Sequence, residues 1–124
     1  MRFLVMVKVN QEPEGAQGPT PGMKSFNRGL IRDGVLLAAE GLQPISQGVR
    51  ITYGGGKPTV TDGPFAESKE IVAGFWILQG RSKEEIVERL QRCPFEGGEY
   101  VEIRQIADLE DIHERIKMKA QAGT

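Results

Sequence analysis

Ile71-Val72-Ala73-Gly74-Phe75-Trp76-Ile77-Leu78-Gln79 is apolar at both parities from Ile71 to Leu78. A strand with one face in water alternates apolar and polar residues. A short run rich in β-branched and aromatic residues with no alternation is instead expected of a strand covered on both faces. The segment therefore belongs in the middle of a sheet. Successive strand residues point to opposite faces, so one of Phe75 and Trp76 meets the helices and the other lines whatever lies on the second face.

The neighbouring segments read outward from this strand. On its C-terminal side, Ser82 with Glu85 three residues later forms a capping box. Ile86, Leu90 and Cys93 then repeat at helical spacing, Glu85/Arg89 and Glu88/Arg92 are paired four apart, and Pro94 closes the element. Tyr100 to Ile106 alternates as a last strand. Asp108 can cap a final helix with Leu109, Ile112, His113 and Ile116 along one face. On the N-terminal side, Val49 to Tyr53 and Lys57 to Thr61 flank Gly54-Gly55-Gly56, which supplies the positive φ angles of a hairpin turn. Val35 to Ala39 is a further strand. Thr20-Pro21 opens a helix carrying Met23, Phe26, Leu30 and Ile31 and ending at Gly34, and Phe3, Val5, Val7 and Val9 mark the first strand.

The order is β-α-β, a hairpin, β-α-β and a helix. That is an α+β, ferredoxin-like split βαβ plan with an inserted β-hairpin, in one domain over residues 1–124, with a core at 1–106 and a C-terminal helix and tail at 107–124. Right-handed crossovers place both main helices on one face of the sheet. The other face then has no intrachain cover except the final helix, although its central strand is apolar there too. The expectation is a homodimer packed sheet against sheet, since a large uncovered apolar face is an aggregation liability.

Composition narrows the function classes. Glycine is 16 of 124 residues, about twice the usual ~7%, so many turns are expected. Leu, Ile, Val and Phe together make 32 residues, enough for one modest core. Sixteen basic against seventeen acidic residues leave a net charge of −1, without the basic excess that nucleic-acid binding uses. The single cysteine, Cys93, permits no internal disulfide, and no Cys/His spacing suits a structural zinc site. No apolar run approaches a membrane span and no cleavage site follows the N-terminal strand, so a cytoplasmic protein with no membrane partner is expected. The sequence implies no metal and no cofactor. Gly54 to Thr59 fails as a phosphate loop because Pro58 takes the Ser/Thr place.

Asp62-Gly63-Pro64-Phe65-Ala66-Glu67-Ser68-Lys69-Glu70 is the most distinctive stretch. Asp62 can accept hydrogen bonds from the turn, Gly63 permits unusual φ, Pro64 stiffens the bend, and Phe65 can anchor the loop. The plain alternative is a well-specified turn with a solvated charge run. The segment resembles the signature of YCII-related proteins of the DGPF subgroup. Glu40-Gly41-Leu42-Gln43-Pro44, Arg92-Cys93-Pro94 and Val101-Glu102-Ile103-Arg104 resemble further family blocks, so the likeness covers most of residues 1–106. It implies a ferredoxin-like fold forming a dimeric α+β barrel, in a family of largely uncharacterised function. Other branches carry a proposed histidine-aspartate pair with the histidine in the first helix. Here that helix has Ser25, Phe26 and Asn27, and the sole histidine, His113, lies in the appended helix.

Asp62 is the candidate general base, a carboxylate at a strand end. Glu40, Glu67, Lys69, Glu70, Arg50 and Arg104 are the candidate ligand-binding residues, each with an ordinary surface-charge reading beside it. Cys93, at an apolar helical position, reads as a small hydrophobe rather than a nucleophile. The expected function is small-molecule binding in a dimeric barrel, with acid/base chemistry at Asp62. The alternative is a non-catalytic ligand-binding or regulatory dimer whose Asp62–Phe65 loop is architectural.

Overall fold

A computed structural model of the chain describes residues 1–11, 18–65 and 70–122. Its elements run β1 (Arg2–Val9), α1 (Pro21–Arg32), β2 (Leu36–Gly41), a 3-10 turn (Ile45–Gln47), β3 (Val49–Thr52), β4 (Thr59–Asp62), β5 (Ile71–Gln79), α2 (Lys83–Leu90), β6 (Glu99–Gln105) and α3 (Leu109–Ala122). The main sheet has the order β2-β5-β1-β6 with every pair antiparallel, and β3 and β4 form a separate two-stranded sheet. The both-parity run is therefore an inner strand, and the mixed α+β arrangement is compatible with a ferredoxin-like fold.

Local chemistry explains the element ends. The Thr20 hydroxyl accepts from the Met23 amide at 3.2 Å, with Pro21 at the first helical position. The Ser82 hydroxyl accepts from the Glu85 amide at 3.1 Å, while the Glu85 carboxylate reaches back to the Arg81 amide at 3.1 Å, one residue before the usual capping-box donor. The Asp108 carboxylate accepts from the Asp111 amide at 2.9 Å and opens α3. Gly54, Gly55 and Gly56 all have positive φ and turn the β3–β4 ribbon.

One core lies between the helices and one sheet face: Phe3 and Val5 of β1, Trp76 and Leu78 of β5, Leu30 of α1, Ile86 and Leu90 of α2, and Val35. Both helices thus cover the same face. Burying such side chains contributes on the order of 1.5–3 kcal/mol each. Ile31 differs from expectation. It is exposed, because α1 turns Met23, Phe26 and Leu30 inward and Ile31 lies beyond the edge of that stripe. Arg89 bonds Asp33 rather than Glu85, which holds Arg81 instead.

Register defines the second face. Ala38, Ile77, Leu4 and Arg104 form one cross-strand row, Glu40, Phe75, Met6 and Glu102 the next, and Val72, Lys8 and Tyr100 a third. A bulge on β5 at Ala73 shifts the last row by one residue. The apolar members of this face are half-buried. The expected apolar stripe of α3 finds no cover among the described residues: Leu109 is 74% exposed, Ile112 and Ile116 are exposed too, and α3 has no buried residue. The ribbon likewise exposes Val49, Ile51 and Val60.

Candidate functional site

The register divides Phe75 from Trp76. Trp76 turns to the helices and is 5% exposed. Its indole sits edge-on to Phe26 at 6.1 Å and tilted against Phe95 at 6.3 Å. Its Nε1–H donates to Oδ1 of Asn27 at 2.9 Å. With Oδ1 taken by the indole, the group that Asn27 can offer to a ligand is its Nδ2–H2 donor.

Beside this pair lies a cavity of about 410 Å³ whose wall includes Val7, Met23, Asn27, Ala39, Trp76 and Phe95. The lining is mostly apolar and aromatic, with the Asn27 amide of α1 as a polar side chain. Small-molecule pockets commonly have this character. Of the ligand-binding candidates named from sequence, Glu40 borders the cavity, but its register opposite Phe75 turns its side chain to the second face. Asn27 was not among the binding candidates because its value comes from the Trp76 indole 49 positions along the chain, a partner no local spacing reveals.

Asp62 ends β4, exposed, its backbone opposite Val49. The Gly63 amide donates to the Gly48 carbonyl at 2.9 Å, and the Gly63–Pro64 peptide is cis. Gly63 does not have a positive φ. Its requirement is steric, since a Cβ there would run into the Ile45 carbonyl. The Arg50 guanidinium lies 4.1 Å over the Phe65 ring, a cation–π contact of about 0.5–1 kcal/mol at an exposed site. The Asp62–Phe65 stretch thus closes the ribbon base onto the 3-10 turn. Glu67 and Lys69 lie outside the described residues.

Glu70 joins a cluster on the second face. Lys8, with a side chain only 13% exposed, holds Glu102 at 3.1 Å and Glu70 at 3.3 Å. The bond to Glu102 leads in raising the Lys8 pKa. Lys8 first and then the Tyr100 hydroxyl lower that of Glu70, while burial and the Glu70 charge raise that of Tyr100. Lys8 was not singled out from sequence; its place at a polar parity of β1, opposite Tyr100, was the available signal. Arg104 is exposed in the row of Leu4 and Ile77, apart from Arg50 on the ribbon. The Cys93 Sγ touches Met23 Sδ at 4.0 Å, and burial, then the charge of Glu99, pushes its thiol up to about 11. His113 is exposed on α3. Among the described residues no group of His, Cys, Asp and Glu is placed to hold a metal ion, and no helix is long and apolar enough to cross a membrane.

Fold and cavity together define an α+β protein with an antiparallel sheet, helices on one face and an aromatic pocket at their junction. The model of the YCII-related domain matches residues 1–110, and the chain belongs to that family. No curated protein matches it.

Proposed function

We propose that this protein binds a small molecule in the cavity beside Trp76. The supporting observation is that apolar and aromatic walls converge there on one polar side chain held by a hydrogen bond, the Asn27 amide, whose Oδ1 accepts from the Trp76 indole. The fitting ligand has a flat apolar body and an acceptor for the amide. On this reading the Asp62–Glu70 run marks the DGPF subgroup, and its Gly63–Phe65 part is architectural. The β3–β4 ribbon is then the hairpin inserted into a ferredoxin-like unit, in a cytoplasmic protein.

The ferredoxin-like unit pairs with a second copy through the second face, giving a dimeric α+β barrel. Supporting this are the half-buried apolar rows of that face and the exposed apolar residues of the ribbon and α3. A standard interface removes ~1,600 Å² from water. Acid/base chemistry at Asp62 is the second reading, supported by its exposed carboxylate at a strand end.

The test is a metabolite thermal-shift screen read with the emission of Trp76, the single tryptophan, because a ligand that binds only the folded state must stabilise it. Saturable stabilisation that moves Trp76 emission and weakens in Asn27→Ala supports the site. Ligands that leave the emission unmoved place binding elsewhere and defeat it. Asp62→Asn that preserves binding but abolishes turnover of the ligand establishes the catalytic reading. Light scattering that finds a monomer at micromolar concentration removes the dimer.

A further inference from the structure

We propose a second binding site, for small organic anions, in the groove between α1 and α2 on the outer side of the helix layer. The groove encloses about 380 Å³ and lies against different residues from the Trp76 cavity, with the helix residue Phe26 beneath its floor. Arg32, Arg89 and Arg92 line it together with one carboxylate, Asp33. Arg32 comes from the end of α1, Arg89 from the last turn of α2, and Arg92 from just beyond it. Three guanidiniums thus share one cavity in a protein whose net charge is −1.

Asp33 accepts from Arg89 at 3.0 Å and from Arg32 at 3.3 Å. Those two bonds, Arg89's the larger, lower its pKa, so it stays ionised at neutral pH and competes with a bound anion for both guanidiniums. Arg89 is held in place, its side chain 26% exposed. Each guanidinium has five donors in a planar fork, so the Asp33 bonds leave donors for an anion, the geometry that suits a carboxylate or phosphate. Among the described residues, Arg92 has a 4.0 Å, solvent-exposed pair with Glu88. Helix-dipole complementarity accounts for a basic residue near each helix end, but not for the floor of the groove. Gly29 sits in the interior of α1, where glycine is less favourable than alanine by about 0.5–1 kcal/mol. Packing does not demand it, since a Cβ there would meet only the Arg32 guanidinium at an ordinary 3.7 Å. Its missing side chain leaves room above Phe26 and Leu30. An apolar floor under a guanidinium rim fits an anionic group carried on a flat apolar body.

The experiment is calorimetric titration at fixed physiological ionic strength with phenyl phosphate and benzoate, and with phenol as the uncharged control. Saturable binding of either anion but not of phenol is expected. Arg89→Gln with Arg92→Gln should weaken it by about tenfold to a hundredfold. Asp33→Asn should tighten it by about threefold to tenfold, because a competing carboxylate is removed. Gly29→Leu should abolish it, and Gly29→Ala, which keeps the helix, should weaken it. No saturable binding of either anion, equal binding by the double arginine variant, or weaker binding by Asp33→Asn overturns the proposal. Between the two anions, the tighter one identifies phosphate or carboxylate as the natural group.

Discussion

Replacing Asn27 by alanine deprives the Trp76 indole of its acceptor at 2.9 Å. A hydrogen bond of this kind contributes about 0.5–1.5 kcal/mol net, and a buried donor left without a partner costs about 1–3 kcal/mol. Trp76 is 5% exposed, which points to the upper figure, but the adjoining cavity of about 410 Å³ admits water that can replace the lost acceptor. The expected loss is therefore about 1–1.5 kcal/mol. For a chain of 124 residues the unfolding entropy is about 0.26 kcal/mol/K, so Tm should fall by about 4–6 °C. Because Trp76 is the single tryptophan, its emission reports the same change and should move to longer wavelength as water takes the acceptor's place. Asn27→Asp retains an acceptor and should keep the emission near that of the parent. A cycle with Trp76→Phe isolates the pair, and coupling of at least about 0.5 kcal/mol is expected for residues in contact. An unchanged Tm and emission in Asn27→Ala, with no coupling in the cycle, would refute the claim that Asn27 and Trp76 act as one unit.

Gly63→Ala sets a methyl group against the Ile45 carbonyl and should cost about 3 kcal/mol, roughly 11 °C in Tm; equal melting of variant and parent in calorimetry contradicts the steric reading. The Lys8–Glu70–Glu102 cluster should give stability a pH dependence at both extremes. Glu70's lowered pKa means that its share is present above its ordinary 4.5 and fades as pH falls through the folded-state value. Lys8's raised pKa means that its share is present below its ordinary 10.5 and fades as pH rises through the folded-state value. Denaturant titrations of Lys8→Gln should therefore lose these contributions, and a parent-like pH profile in that variant counts against the cluster. Raising the Cys93 thiol from 9.0 to about 11 cuts its thiolate fraction about a hundredfold at pH 8, so the native protein should react with a maleimide far more slowly than the unfolded chain. Equal rates would show a thiol that burial does not protect.

Short-range chemistry made much of the fold legible. The Thr20-Pro21 and Ser82/Glu85 caps, the three turn glycines and the both-parity run at Ile71 to Leu78 each carry their reason within a few residues of chain. The β3–β4 ribbon's own pairing follows from its turn. Its separation from the main sheet does not, because strand neighbours are chosen by long-range packing rather than by the turn that joins them. The exposed position of Ile31 likewise depends on how α1 is rotated against the sheet, a choice made by Met23, Phe26 and Leu30 together.

The chemistry divides along the same line. Sequence alone determined the family likeness, the absence of a histidine in the first helix and the peculiarity of the run from Asp62 to Glu70. Only the tertiary structure decided what those residues meet. It turned Trp76 rather than Phe75 toward the helices, joined the indole to Asn27, drew Glu70 to Lys8, and set Arg50 over Phe65. It also gathered Arg32, Arg89 and Arg92 around one groove. Hydrogen bonds, ion pairs and cavities act across a few ångströms, while the residues that make them are often dozens of positions apart. Periodicity can place a side chain on a face, but the partner on the facing element is settled only when the sheet and helices have packed.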